Sequence, residues 1–177
     1  LPKGKILLVD DEADILEFKP EEHDLKEGNY KIVANIPYYI TSNLLRTIFE
    51  KWPRPKLIVL TVQKEVAQRI MARDGKESLL SISVKAYGQP KMIMKVEARY
   101  FSPSPKVDSA VIVIKEISRK TFTGSGVDEE KFWKIVSKKF KDYKGKARFG
   151  LSMHPKSDLV LKKILINSKK SLKGECG

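Results

Sequence analysis

The residues with the clearest potential for chemistry stand at the end of a short apolar run. Residues 30–34 (YKIVA) predict a buried strand, and residues 35–39 (NIPYY) follow it directly. Proline lacks a backbone donor and fixes its own φ, so Pro37 makes this turn rigid and leaves neighbouring carbonyl groups pointing outward. The amide of Asn35, these carbonyls and the ring of Tyr38 therefore form a cage for a planar amine.

Such a cage suits the exocyclic amino group of a nucleobase. The lone pair of that nitrogen is conjugated with the ring, so the nitrogen is a poor nucleophile. Acceptors that hold both N–H bonds, together with an aromatic ring stacked on the base, release the lone pair. The motif predicts chemistry at a base amine.

Two further features lie next to predicted strand ends, where ligands collect in open α/β sheets. Asp14 follows a predicted strand over residues 5–9, and residues 101–109 (FSPSPKVDS) lead into the last predicted strand. The prolines of this loop stiffen it, so that Phe101 is a fixed platform. Lys106 adds a cation beside it.

The elements that must position these residues alternate between strand and helix. Strands are predicted over 5–9, 30–34, 56–62, 92–96 and 109–114. The first predicted helix begins after a cap at Thr41 or Ser42 and ends at Trp52. Two more are predicted over 63–73 and 78–87. A fourth begins after a cap at Asp128, and a fifth is predicted over 159–166. This alternation predicts an α/β domain with a mainly parallel sheet.

Size and composition are those of a soluble globular protein with one sizeable core. The chain has 177 residues, of which 41% are hydrophobic and 32% charged, and no apolar run is long enough to cross a bilayer. We predict a domain over 1–118, a linker over 119–126 and a small basic helical lobe over 127–177. One cysteine, Cys176, indicates a reducing, cytoplasmic compartment. His23 and His154 are far apart in the sequence, so no metal site is predicted.

The net charge of +13 is unevenly distributed. From residue 115 onward, 17 Lys and Arg stand against 7 Asp and Glu, whereas residues 1–114 hold 18 against 15. A nearly neutral body with a basic C-terminal part is typical of a nucleic-acid binder.

Three blocks in order resemble one family. Residues 35–42 (NIPYYITS), 63–69 (QKEVAQR) and 101–111 (FSPSPKVDSAV) are similar to the small-subunit ribosomal RNA adenine dimethyltransferases of the kasugamycin-resistance type. The resemblance covers about residues 10 to 150. It implies a Rossmann-like methyltransferase sheet with a small C-terminal helical lobe, and dimethylation of adenine N6 from S-adenosylmethionine.

The resemblance also implies roles for the motif residues. Asn35 would accept a hydrogen bond from the adenine N6, and the carbonyl of Ile36 or Pro37 would accept the other. Tyr38 and Phe101 would stack on the two faces of an unpaired or flipped adenine. The freed N6 would then attack the methyl group of the cofactor.

Cofactor and RNA contacts are implied in the same way. Asp14 would contact the adenine of the cofactor, with Asn35 and Ile36 beside it. Contacts with small-subunit ribosomal RNA, within a precursor of that subunit, would come from a basic set. This set comprises Lys64, Arg69, Lys106, Lys144, Lys146 and Arg148. We expect a monomer without membrane contact.

The chain departs from the family pattern at the cofactor site. None of its ten glycines forms a G-x-G-x-x-G motif after a strand, Ala13 replaces the usual glycine before Asp14, and residues 144–148 only loosely match the basic turn. The sequence starts about where the third strand of the family should lie, which predicts an incomplete sheet with an exposed edge. We therefore expect weak or no cofactor binding by this chain alone.

The sequence also allows two other interpretations. A non-catalytic RNA-binding or ribosome-assembly protein would keep the basic surface without the cofactor site. A soluble basic domain without a nucleic-acid role is the plainest alternative. Residues 5–17 also resemble the start of a response-regulator receiver domain, but residues 45–65 contain no aspartate to accept a phosphoryl group.

Overall fold

The computed structural model describes residues 4–10, 13–35, 38–72, 77–123, 126 and 128–142, without the side chains of residues 13, 14, 38 and 139–142. The described strands form one five-stranded sheet in the order β1-β2-β3-β5-β4. Their bounds are β1 Lys5–Asp10, β2 Tyr30–Asn35, β3 Leu57–Gln63, β4 Gln89–Val96 and β5 Ser109–Lys115. Each predicted strand is confirmed.

Four of these strands run in one direction. β1, β2 and β3 pair in parallel, whereas β5 pairs antiparallel with both β3 and β4. β5 is therefore the one reversed strand, because residues 97–108 return the chain from β4 without a long crossover helix. The predicted α/β class with a mainly parallel sheet is confirmed.

The helices fall close to their predicted positions. The described helices are α1 Thr41–Glu50, α2 Lys64–Met71, α3 Leu79–Tyr87, α4 Lys120–Thr123 and α5 Glu129–Asp142. Ser78 caps α3 by accepting a hydrogen bond from the Ser81 backbone at 3.2 Å, and Asp128 caps α5 in the same way from Lys131 at 2.8 Å. The helix predicted over 159–166 lies outside the described residues.

The predicted cap of α1 is wrong. Ile40 occupies the cap position, and no side chain makes a capping hydrogen bond there. Thr41 lies inside the first turn, only 1% exposed, and its hydroxyl has no hydrogen-bond partner in the described part of the chain. The hydroxyl is buried in the fold and does not satisfy the helix end.

Part of the segment predicted as a linker is helical. α4 falls inside residues 119–126, and the ring of Phe122 is buried between Tyr87 and Phe132, with centroid distances of 5.5 and 5.4 Å. This apolar contact holds the segment against the body, which a composition of Thr, Gly and Ser did not indicate.

A hydrogen-bond network joins α5 to the sheet-bearing body. The Tyr87 hydroxyl donates to Glu129, and the Trp133 indole donates to the Tyr87 oxygen at 3.0 Å. Arg119 lies 3.9 Å from Glu129 and donates to the Glu50 carbonyl at the end of α1. Burial raises the pKa of Tyr87 above its ordinary value, and the bond to Glu129 adds to this.

The core lies on one face of the sheet. Because successive strand residues point to opposite faces, one alternating set of strand residues faces the helices and is almost fully buried. This set comprises Tyr30, Ile32, Ala34, Ile58, Leu60, Val62, Ala110, Ile112 and Ile114. α1, α2, α3 and α5 add buried residues to the same cluster.

The opposite face is open at the β1 edge. Leu8, which pairs with Val33, is 74% exposed, and Ile6 is 57% exposed. Val33 is also exposed, and Val59 on β3 is only half-buried. Parallel strands are normally covered on both faces, so this open sheet face is an exposed apolar strip. None of the described helices is long and apolar enough to span a membrane.

A Leu→Ala substitution should lower the free energy of unfolding far more on the buried face of the sheet than on the open face. Leu60→Ala removes a fully buried side chain and should lower the free energy of unfolding by about 2–5 kcal/mol. Leu8→Ala should change it by less than about 0.5 kcal/mol. Urea unfolding of both variants checks this, and an equally large loss for Leu8→Ala would mean that the open sheet face is covered.

The start of β1 predicts an acid-sensitive contact. Lys5 and Lys26 lie 2.6 and 2.8 Å from the Asp24 carboxylate, and their hydrogen bonds, that of Lys26 first, lower its pKa from 3.8 to about 2. A lowered pKa stabilises the fold above about pH 4, and this contribution is lost as the pH falls towards 2. Asp24→Asn should flatten the pH dependence of unfolding in that window, while Glu17→Gln, a change of another exposed carboxylate, should not.

Candidate functional site

The register of the sheet brings three polar residues together where parallel strands end. Asn35, the last residue of β2, pairs with Asp10 on β1 and with Thr61 on β3. The Asn35 amide nitrogen donates to the Asp10 carboxylate at 3.0 Å. An amide held through its nitrogen presents its carbonyl oxygen on the opposite side. The acceptor role that the motif predicts for Asn35 stays a prediction.

Asp10 is a site residue that sequence reasoning missed. Its signal was an acidic cluster, Asp10 with Asp11 and Glu12, directly after the first apolar run. That cluster by itself does not show which strand lies next to β2. The pairing of β1 with β2 in the sheet supplies this information, and it makes the Asp10 carboxylate the partner of Asn35.

Several predicted site residues lie wholly or partly outside the described structure. Ile36 and Pro37 are outside it, as are Lys144, Lys146 and Arg148. The backbones of Asp14 and Tyr38 fall in short 3-10 helices over Ala13–Leu16 and Tyr38–Ile40, but their side chains are not described. The roles assigned to these residues stay predictions.

Phe101 lies at the same edge of the sheet as Asn35. It follows a short 3-10 helix, Ala98–Tyr100, that comes directly after β4, and its ring is half-buried. Local hydrogen bonds brace the loop: the Phe101 amide donates to the Ala98 carbonyl at 3.1 Å, and the Ser104 hydroxyl donates to the same carbonyl at 2.9 Å. Asp108 accepts from the Ala98 amide at 3.3 Å.

Asn35 and Phe101, the two predicted contacts of the base, are separated along this edge. β4 is three strands away from β2 in the sheet order, which corresponds to about 14 Å between strand axes. Neither Asn35 nor Phe101 lines any of the cavities that we describe within the described residues. Their predicted shared grip on one base therefore stays a prediction.

A polar cleft lies between Asn35 and Phe101 along the sheet edge. We call it the α2 cleft, and its volume is about 410 Å³. Its walls are Gln63, Lys64, Glu65 and Gln68 on one side and Lys106, Val107 and Asp108 on the other. The Lys64 backbone donates to the Asp108 carbonyl at 3.0 Å, and the Lys64 ammonium lies 3.6 Å from the Asp108 carboxylate. The cleft unites two of the cations predicted to bind RNA.

Arg69 belongs to a different cavity. This second cavity, of about 350 Å³, lies among α1, α2, α3 and α5 and is lined by Arg46, Phe49 and Trp133 as well as Arg69. Arg46 is paired with Glu50 at 3.0 Å. The predicted set of RNA-binding cations is therefore split between two surfaces.

The described residues do not form a complete cofactor site. Asp10 and Asn35 offer acceptors at the strand ends, but close approach of a nucleoside to backbone requires glycine there. The described glycines are Gly4, Gly28, Gly88 and Gly126, and none follows the C-terminal end of β1 or β2. Within the described residues, no group of three or more His, Cys, Asp or Glu is suited to a metal ion.

The fold is that of the Rossmann-like methyltransferases. The structure is similar to a crystal structure of a dimethyladenosine transferase from Plasmodium falciparum, with a TM-score of 0.58, 23% identity and coverage of 79% of this chain and 66% of that one. It is also similar to the 23S rRNA methyltransferase ErmE, with a TM-score of 0.55, 16% identity and coverage of 94% and 93%.

The sequence then specifies the family within that class. A family model described as ribosomal RNA adenine dimethylase matches residues 3–174, and the chain belongs to this family. It is 43% identical over 124 residues to the ribosomal RNA small subunit methyltransferase A of Dehalococcoides mccartyi strain CBDB1. That match covers 70% of this chain, which spans 42% of the length of the relative.

The contact between Asp10 and Asn35 predicts a measurable loss of order. Asp10→Ala removes the acceptor of the Asn35 amide, so the side-chain amide protons of Asn35 should exchange with solvent several-fold faster. NMR of these protons measures the change. Asp24→Ala removes a carboxylate that contacts Lys5 at the opposite end of β1; it is the control and should leave them unchanged. Unchanged exchange in Asp10→Ala would mean that the carboxylate does not position the amide.

Proposed function

We propose that this chain carries the adenine-binding side of an S-adenosylmethionine-dependent methyltransferase that dimethylates N6 of adenine in small-subunit ribosomal RNA. The observation that carries the proposal is the Asn35 amide, held at 3.0 Å by Asp10 at the end of β2. Membership of the ribosomal RNA adenine dimethylase family supports the reaction. The relatives named as small-subunit methyltransferases support the substrate.

The proposed action of the chain is on the nucleophile. The oxygen of Asn35 accepts a hydrogen bond from one N6–H group of an unpaired adenine, and the backbone carbonyl of Ile36 or Pro37 accepts a hydrogen bond from the other. Both acceptors favour a lone pair released from the ring, and stacking by Tyr38 and Phe101 fixes the plane of the base. No general base is required, because the methylated nitrogen is strongly acidic and loses its proton readily.

S-adenosylmethionine supplies the methyl group when it is bound. We assign Asp14, Asn35 and Ile36 to the cofactor side of the site. The main proposed contribution of the chain is to position the base. A second candidate function is a non-catalytic RNA-binding protein of ribosome assembly, which needs the basic charge of the chain but no cofactor.

The proposed RNA surface follows the charge of the chain. Lys64, Lys106 and Arg69 are assigned to phosphates near the site, and Lys144, Lys146 and Arg148 to phosphates beyond it. The net charge of +13 provides the long-range attraction, which weakens as salt rises. We place the chain in the cytoplasm as a monomer that acts on a precursor of the small ribosomal subunit, without contact with a membrane.

Asn35→Ala should abolish most methyl transfer if the proposal is correct. Removing one acceptor that acts mainly on the transition state should lower transfer to undermethylated small ribosomal subunits by about 100-fold or more. Transfer of labelled methyl groups from S-adenosylmethionine measures this. Asn43→Ala, which removes an exposed amide on α1, is the control and should keep full activity.

Two results would contradict the enzymatic proposal. Equal transfer by wild type and Asn35→Ala would exclude the amide from the reaction. No transfer by either protein, with salt-dependent binding to the subunit intact, would favour the non-catalytic RNA-binding protein instead.

A further inference from the structure

The α2 cleft lies one step along the sheet edge from the predicted base site. Gln63 is two residues beyond Thr61, the partner of Asn35 on the neighbouring strand. Gln63 and Asn35 therefore leave the same face of the sheet, because strand side chains alternate. Strand geometry puts their Cα atoms about 8 Å apart. A base held at Asn35 has its neighbouring nucleotide within reach of the cleft.

The walls of the cleft carry the groups that recognise a base edge. Gln63 and Gln68 each offer an amide donor and an acceptor, a pair that matches the edges of nucleobases. Gln68 lies one helical turn after Lys64, so both side chains are on the same side of α2. Val107, which is 46% exposed, adds an apolar surface against which a ring can lie.

The charges of the cleft favour a whole nucleotide over a free anion. Lys64 lies 3.6 Å from Asp108, so its charge is partly offset within the cleft wall. Lys106 is exposed and forms no ion pair with any described residue, and it is therefore the cation available to a phosphate. The Glu65 and Asp108 carboxylates of the walls disfavour a free anion, whereas the two amides together with Lys106 suit a base with its attached phosphate.

We infer that the α2 cleft binds the nucleotide next to the target adenine. Gln63 and Gln68 contact the edge of its base, and Lys106 contacts its phosphate. Single-stranded RNA is recognised in this way, through the edges of unstacked bases. The inference rests on the proposed function, since it takes Asn35 as the site of the target base, and it adds a second position at which sequence is read.

Binding of short single-stranded RNAs to the full chain tests the inference. The first RNA contains one adenine among pyrimidines, and two others carry an abasic residue on one side or the other of that adenine. Fluorescence anisotropy gives the dissociation constants for wild type, Gln68→Ala and Gln63→Ala. Gln89→Ala, a change of an amide at the opposite edge of the sheet, is the control.

We expect that the effect of a glutamine substitution on affinity and the effect of removing the neighbouring base do not add. Gln68→Ala or Gln63→Ala should weaken binding of the intact RNA about fivefold or more. For one of the two abasic RNAs, both variants should bind as tightly as wild type, because the base that the glutamines contact is already absent. Lys106→Ala should weaken binding of all three RNAs to the same extent and reduce the dependence on salt.

The outcomes separate the inference from the proposed function. If both glutamine variants bind all three RNAs as tightly as wild type, or lose affinity for all three alike, the cleft does not read a base. A further pair of RNAs tests the proposed function: one carries the target adenine, and the other carries purine, which lacks the amino group, in its place. If Asn35→Ala has the same affinity as wild type for each of these RNAs, the proposed function fails as well. If Asn35→Ala loses affinity and the glutamine variants do not, only the inference about the α2 cleft is wrong. If wild type binds none of the RNAs, both the inference and the proposed function are wrong.

Discussion

The candidate site depends on the register between β1 and β2. A parallel ladder fixes which residues stand side by side at the strand ends, and here it places Asp10 beside Asn35 and Thr61 beyond it. Shifting β1 by one residue would turn Asp10 to the other face of the sheet and leave the Asn35 amide without this partner. The site is therefore positioned by the same pairing that forms the edge of the sheet.

The stability of that pairing comes from one side only. The buried face of β2 contributes Tyr30 and Ile32 to the core, whereas Leu8 and Val33 on the other face remain exposed. β1 itself buries only Val9. The strand that holds Asn35 in place is therefore largely exposed, and its contact with β2 depends on the backbone ladder and on Val9.

The sequence predicted the strands and helices well because their apolar patterns are local. Residues 56–62 and 109–114 became β3 and β5 almost as predicted, and Asp128 caps α5. The pairing of strands was less accessible, since it depends on contacts between distant parts of the chain. Asp10 was missed for this reason: only the sheet order shows that its carboxylate faces the motif.

The two places where the structure differs from the prediction also have physical causes. Thr41 has the residue type of a cap, but tertiary packing buries its hydroxyl inside the first turn of α1. Phe122 stands among residues typical of a linker, yet one aromatic side chain in contact with Tyr87 is enough to order a helical turn. Residue type predicts local preference, and burial of a single ring can override it.

Hydrogen bonds at the sheet edge hold the groups proposed to recognise RNA in fixed positions. Asn35 is tied to the neighbouring strand, and the loop after β4 is braced by Ala98, Ser104 and Asp108. The same Asp108 also accepts from the Lys64 backbone, so one residue joins the loop to the first turn of α2. The two walls of the α2 cleft cannot move apart without breaking that bond. Selection of a base in the cleft would thus rest on a preformed surface, for which little ordering free energy is lost on binding.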